Sequence, residues 1–235
     1  MARLSEVVTY LALHSAGVSA DKFVTDLWPT QRQPAAGTRR QLIFDVRKWM
    51  GRDAAGEQYL PNANDGLYRL TARLLDAELL RRLRKRAQAK AAASNPSGAL
   101  EDYTAALRLV RGRAMPEAEG QAYSWLANLD RMEDRRIPAW VTETAHEAAE
   151  IAFGLNDLDT ARWASDIGHL SNRDSEIPLC DLLLVAQASG NVEIAQALAW
   201  QILEVNSASV PEECAPRIFE IIHRVFPAGL RPVTT

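Results

Sequence analysis

Two segments, Asp157-Leu158-Asp159-Thr160-Ala161 and Asn191-Val192-Glu193-Ile194-Ala195, align at an offset of 34 residues. A period of this size belongs to stacked helix–turn–helix units, each of which buries its apolar face only against its neighbours. Ala161 and Ala195 take the small-residue position early in the second helix of a pair, where two helices approach closely. Gly154 and Gly190 stand just before, as expected at helix C-termini. Three apolar stripes at helical spacing agree with such a unit: Leu75, Leu79, Leu83 and Ala87; Leu100, Tyr103, Leu107 and Val110; Ile137, Val141, Ala145, Ala148 and Ala152. The other reading of the match is an irregular helical bundle. Residues 94–98 and 111–120 read as loops.

The first seventy residues have a different grammar. Leu4, Val7, Val8, Leu11 and Ala12 repeat at helical spacing up to Ser15-Ala16-Gly17. Ser19 is an N-cap for a second helix carrying Phe23, Val24 and Leu27, which Trp28-Pro29 ends. After a polar connection over residues 31–37, a third helix carries Leu42, Ile43, Val46, Trp49 and Met50, with Gly51 as its stop. Tyr59-Leu60-Pro61 and Leu67-Tyr68-Arg69-Leu70 then flank a turn containing Asp65-Gly66, the signal of a hairpin. Three helices followed by a hairpin is the chain order of a winged helix. The expected fold is therefore mainly α, a winged helix-turn-helix over residues 1–71 followed by a tetratricopeptide-like helical-repeat domain over residues 72–235.

Charge divides the chain in a related way. Residues 1–113 hold 19 Lys and Arg against 11 Asp and Glu, and residues 114–235 hold 8 against 19. Only 9 of the positive and 7 of the negative charges lie in residues 1–71, so the excess does not by itself locate a polyanion site. The acidic second half argues for a domain that avoids DNA and meets proteins. No apolar run is long enough to span a membrane and no signal peptide is recognisable, which points to the cytoplasm and to no membrane contact from this segment. Cys180 and Cys214 lack paired spacing and read as free thiols.

Several short patterns, in order, resemble the winged helix plus bacterial transcriptional activator domain of actinobacterial regulators of the antibiotic-regulatory-protein type. In the first part they are Leu11-Ala12-Leu13-His14 through Gly17-Val18-Ser19, Leu27-Trp28-Pro29, Thr38-Arg39-Arg40 to Arg47-Lys48-Trp49-Met50-Gly51, and Gly66-Leu67-Tyr68-Arg69-Leu70. In the second they are Tyr123-Ser124-Trp125, Ala161-Arg162-Trp163-Ala164 and Ala188-Ser189-Gly190-Asn191. The resemblance covers roughly residues 4–205 and implies a DNA-binding transcriptional regulator, with the bacterial transcriptional activator domain over residues 72–235. The family's winged helix opens with a small antiparallel sheet that has no counterpart before the first helix here, so the chain is expected to be a C-terminal part of a longer protein. Residues 211–235 fit no part of the pattern.

In a winged helix the third helix enters the major groove. Its stripe of Leu42, Val46, Trp49 and Met50 is expected to face the core, leaving Arg39, Arg40, Gln41, Phe44, Asp45, Arg47 and Lys48 elsewhere. Arginine grips the guanine O6/N7 edge, glutamine the adenine N6/N7 edge, and phenylalanine touches a thymine methyl, which assigns base contacts to Arg40, Gln41, Phe44 and Arg47. Arg39 and Lys48 suit phosphates. The competing reading is a solvated amphipathic face. The wing tip is neutral to acidic; Arg69 reaches a phosphate, or the wing is a bare turn. The cluster Arg81, Arg82, Arg84, Lys85, Arg86 and Lys90 has three readings: an extended phosphate face, salt bridges to the acidic half, or, favoured, the solvated side of a linking helix.

Enzyme readings find little support. His146-Glu147 with Glu150 lacks the second histidine of a zincin, and Glu143, Glu147 and Glu150 read as a solvated acidic face. Glu220 and His223 share a helix face without a third ligand. No Walker loop, GxSxG or GxGxxG occurs, and His14, His146, His169 and His223 show no metal spacing, so neither cofactor nor metal is implied. Trp163 and Trp200 are either core anchors, the favoured reading, or parts of a partner-binding face.

Two functions follow. One is a transcriptional regulator that reads double-stranded DNA, with the repeat domain governing homodimerisation or contact with RNA polymerase or another transcription protein. The other is a protein-interaction module in which the winged helix is a scaffold that does not bind DNA.

Overall fold

The computed structural model describes residues 2–14, 16–28, 33–63, 65–71, 75–113, 123–128 and 133–230. Ser15, Pro29, Asn64 and parts of the connections expected over residues 31–37, 111–120 and 211–235 lie outside them. The chain divides into two compact units, one of Met1–Leu75 with Met115–Asp134, the other of Asp76–Ala114 with Arg135–Thr235. The division is thus more than one cut near residue 71, because a later segment belongs with the first unit.

The first unit is a winged helix built of α1 (Ala2–Leu13), β1 (Val18–Ser19), α2 (Ala20–Leu27), α3 (Ala36–Met50) and β2 (Leu67–Tyr68). Val7, Tyr10 and Leu11 of α1 meet Phe23, Val24 and Leu27 of α2 and Ile43 and Val46 of α3 in one core, floored by Leu60 and Leu70. Ser19 Oγ accepts the Lys22 N–H and caps α2. Gly51, at φ +75°, ends α3 and donates its N–H to the Arg47 carbonyl at 2.9 Å.

Two expectations are corrected here. Leu67–Tyr68 pairs antiparallel with Val18–Ser19, while its link to the Tyr59 arm is the Thr71 N–H donating to the Tyr59 carbonyl at 3.0 Å. The wing therefore closes on the strand between α1 and α2 as well as on itself. Trp49 is not a core residue but 47% exposed. At about 100° per residue it lies about a quarter-turn from the inward line of Ile43, Val46 and the partly buried Met50.

Tyr123-Ser124-Trp125, grouped by sequence with the helical domain, instead joins the winged-helix core. Tyr123, Trp125 and Leu126, around the short 3-10 helix Ser124–Asn128, are all buried against it. The carboxylate of Glu6, 3% exposed in the middle of α1, accepts the Tyr123 backbone N–H at 2.9 Å and Trp125 Nε1–H at 3.2 Å, and pairs with Arg3. An acid at this depth stands only because all these donors converge on it.

The second unit contains α4 (Asp76–Ala92), α5 (Pro96–Leu107), α6 (Glu133–Gly154), α7 (Leu158–Ser171), α8 (Glu176–Ala188), α9 (Val192–Val205) and α10 (Pro216–Val225). Three of its turns share one geometry. Ser94, Asn156 and Gly190 take left-handed φ of 57°, 60° and 71°. The next residues, Asn95, Asp157 and Asn191, donate their N–H to the carbonyls of Lys90, Ala152 and Ala186, five positions back, and their side chains accept the N–H of Gly98, Thr160 and Ile194. Ala99, Ala161 and Ala195 follow, all buried. The 34-residue offset thus aligns Asn156, rather than Gly154, with Gly190 as the left-handed residue, and a third copy of the turn stands at Asn95. At Gly168 an added Cβ would lie 2.9 Å from Ala145 Cβ and 3.1 Å from Pro178 Cγ, marking how closely α6, α7 and α8 approach. In the otherwise unplaced tail, α10 lays Ile218 and Ile222 on the cluster of Leu179, Leu183, Ile202 and Leu203.

The basic stretch of α4 is largely paired within this unit. Arg84 binds Glu143 and Glu147, Arg86 and Lys90 both bind Asp102, Arg82 binds Glu78, and Arg81 lies over the Trp140 ring at 4.7 Å. Arg81, Arg82, Lys85 and Arg86 nevertheless remain exposed, as do Glu143 and Glu150, so the favoured reading of a solvated face holds for most of both clusters and fails for the half-buried Arg84, Lys90 and Glu147. Arg84 of α4 meets Glu143 and Glu147 of α6 across 59 and 63 residues of chain, a pairing that residue order alone does not reveal. Trp163 and Trp200 pack as half-buried members of core clusters.

Candidate nucleic-acid interface

Burying Ile43 and Val46 fixes how α3 is turned, and with it what the helix offers to solvent. Arg40, Gln41, Phe44 and Lys48 are all exposed. At about 100° per residue these four fall within about 100° of arc on the side opposite the core. Phe44 is 57% exposed, the most exposed aromatic side chain among the described residues. Gln41 Nε2 donates to Asp45 Oδ1 at 2.9 Å, which holds the amide flat on the helix surface. Two polar, hydrogen-bonding side chains, one long cation and one exposed ring form a strip one helix-face wide, a shape that suits a major groove.

The remaining sequence-predicted residues are placed differently. Arg47 is half-buried; its Nε donates to the Leu60 carbonyl at 2.9 Å and its Nη2 to the Pro61 carbonyl at 3.0 Å. Its guanidinium ties α3 to the chain entering the wing. Arg69 Nε and Nη2 both donate to the Ala16 carbonyl, at 3.1 and 3.0 Å, and Nη2 lies 3.3 Å from Asp65 Oδ2. It bridges the wing to the turn after α1, where Gly17 at φ +89° leaves room for it: a Cβ there would stand 3.1 Å from Arg69 Nε. Arg39 is half-buried, and its Nε is buried without a hydrogen-bond partner. The structure therefore gathers Arg40, Gln41, Phe44 and Lys48 on one face and sets Arg47 and Arg69 to holding the wing. Sequence reasoning missed the exposed Trp49, because its spacing from Val46 fits a helical stripe as well as a flank does.

Among the described residues no group of three His, Cys, Asp or Glu side chains could hold a metal ion. His146 bonds Asp181, His223 stacks on Phe219 at 5.5 Å, and Cys180 and Cys214 are free thiols, the former pushed up to about 12 by burial. Among the described residues no helix is long and apolar enough to cross a membrane.

No protein-family model and no curated protein matches the chain. Among solved structures, Mycobacterium tuberculosis EmbR in complex with a low-affinity phosphopeptide is similar over 99% of this chain at 17% identity, with a TM-score of 0.66; the chain spans 61% of that structure's length. A tetratricopeptide repeat protein from Parabacteroides merdae is 18% identical over 64% of this chain and 65% of its own, at a TM-score of 0.28. The likeness to EmbR is one of fold.

Proposed function

We propose that the chain is a DNA-binding transcriptional regulator of the antibiotic-regulatory-protein type, whose winged helix reads a promoter site through α3 and whose helical repeats meet a second copy or a protein of the transcription machinery. The observation that carries this reading is the outward face of α3. Its four exposed side chains at consecutive turns supply a guanine reader in Arg40, an adenine reader in Gln41, an apolar contact in Phe44 and a phosphate contact in Lys48. The winged-helix order of elements supports the same assignment for α3, the third helix. Arg39 adds a flanking phosphate contact, while Arg47 and Arg69 act as positioning residues that set the wing against α3.

For the repeat unit, which holds 16 Lys and Arg against 18 Asp and Glu over residues 76–114 and 135–235, charge does not select the partner, and the protein-partner reading rests on its packed helical repeats. The test is selection of duplexes from a random-sequence pool by the whole chain, followed by fluorescence anisotropy on the enriched duplex. Arg40→Ala is expected to weaken binding by about 1–3 kcal/mol and to relax the preference at one guanine. Failure to enrich any duplex, or an Arg40→Ala variant with unchanged affinity and preference, favours the scaffold reading instead.

A further inference from the structure

We infer that Phe44 is a specificity-determining residue that reads the C5-methyl group of a thymine, within about two base pairs of the guanine contacted by Arg40. This rests on the DNA-binding reading and deepens it, since it names the base-edge chemistry the site requires.

Phe44 lies in the middle of a fifteen-residue helix, yet the residue is 57% exposed and belongs to no apolar cluster among the described residues. An aromatic residue there adds little helix propensity and no core packing, so it contributes almost nothing to the fold. Its neighbours one turn away on the same face are Arg40, Gln41 and Lys48, all exposed and polar. It is the one apolar side chain on this strip; the other exposed ring of α3, Trp49, lies about 140° round the helix axis. A protein-binding patch would extend over neighbouring apolar side chains. In the major groove, by contrast, the thymine methyl is the apolar group that a base edge presents, and it stands singly among donors and acceptors.

Spacing sets where that methyl lies. Arg40 and Phe44 are one turn apart, about 6 Å along the axis at about 1.5 Å per residue, and base pairs stack about 3.4 Å apart. A helix lying in the groove therefore places the two side chains over base pairs one or two steps apart. The recognised element is a guanine and a thymine at that spacing, with cytosine excluded at the thymine position because it brings an amino group and no methyl.

The test compares the selected duplex with copies in which each dT is replaced in turn by dU, which removes only the methyl. Wild type is expected to lose about fourfold in affinity at one or two dT positions, the ratio for one methyl withdrawn from contact. Phe44→Ala leaves the core untouched; it is expected to bind the dT duplex about fourfold more weakly than wild type and to bind the dT and dU forms equally. Wild-type binding unchanged by every dU, or a Phe44→Ala variant that keeps the dT preference, overturns the inference while leaving DNA binding in place. Absence of binding to any duplex overturns both.

Discussion

His146 Nδ1 lies 2.9 Å from Asp181 Oδ2, joining α6 to α8 at a carboxylate that is only 8% exposed. The other ring nitrogen, Nε2, faces Arg217 Nη2 of α10 at 3.3 Å and Glu150 of α6 at 3.5 Å. Neutral His146 donates to Asp181 and accepts from Arg217; the histidinium keeps the first bond and turns its second proton toward Glu150. The bond to Asp181 raises the His146 pKa above its ordinary value, with burial and Arg217 opposing and the charges of Asp181 and Glu150 assisting. Burial likewise raises that of Asp181.

A raised folded-state pKa at a histidine means stability that is fully present below about 6.5 and lost as pH rises through the folded value. The urea midpoint of the wild type is therefore expected to fall between pH 6 and pH 8 relative to that of His146→Gln. Asp181→Asn is expected to cost about 2 kcal/mol at pH 6 and to remove this dependence. Parallel pH profiles for wild type and His146→Gln would show that the pair does not titrate in this range.

Asp102 carries the opposite sign. Hydrogen bonds from Arg86 and Lys90 hold its carboxyl down to about 2 against the opposing effect of burial. Its contribution is present above about 4 and lost as pH falls through the folded value. Asp102→Asn is expected to cost about 2 kcal/mol at neutral pH and to lessen the loss of stability on acidification, both read from urea unfolding curves.

Two glycines in the repeats should respond in opposite directions to the same substitution. Gly168→Ala drives a methyl group into Ala145 and Pro178 and is expected to destabilise by about 1–2 kcal/mol, since overpacking exceeds the gain in helix propensity. Gly154→Ala, with nothing within 4 Å and at the end of α6, is expected to stabilise by about 0.5–1 kcal/mol. Thermal unfolding of both variants checks the pair, and a stabilising Gly168→Ala would contradict the close approach of α6, α7 and α8.

The equivalence of the turns is tested by exchanging their left-handed residues. Asn156→Gly relieves a side chain held at φ 60° and is expected to stabilise by about 0.5–1 kcal/mol. Gly190→Ala, at φ 71°, is expected to destabilise by about 1 kcal/mol. Equal effects of the two substitutions on the urea midpoint would argue against a shared geometry.

What the sequence reveals, and what it hides, follows from the range of the forces involved. Ser19, Gly51, Asp157 and Asn191 act within a few residues of themselves, and each is legible from its neighbours in the chain as a cap, a stop or part of a repeated turn. The turn at Asn95 escapes the repeat pattern because it stands 62 residues ahead of Asp157, which is not a multiple of the period. The Glu6 cluster is hidden for a different reason: its partners lie 117 and 119 residues downstream. On α3 the identity of the outward residues is readable, but their availability is not. Arg40 and Arg47 look alike at i and i+7, yet only the carbonyls of Leu60 and Pro61 decide that one is exposed and the other is engaged with the wing.

The central claim is that the outward face of α3 is a DNA interface, and the salt dependence of duplex binding tests it most directly. For the wild type, log Kobs is expected to fall linearly with log salt concentration, and for Arg40→Ala combined with Lys48→Ala the line should be both lower and shallower, by about 0.9 in slope for each phosphate contact removed. A double variant that binds the selected duplex with the affinity and slope of the wild type would contradict the account.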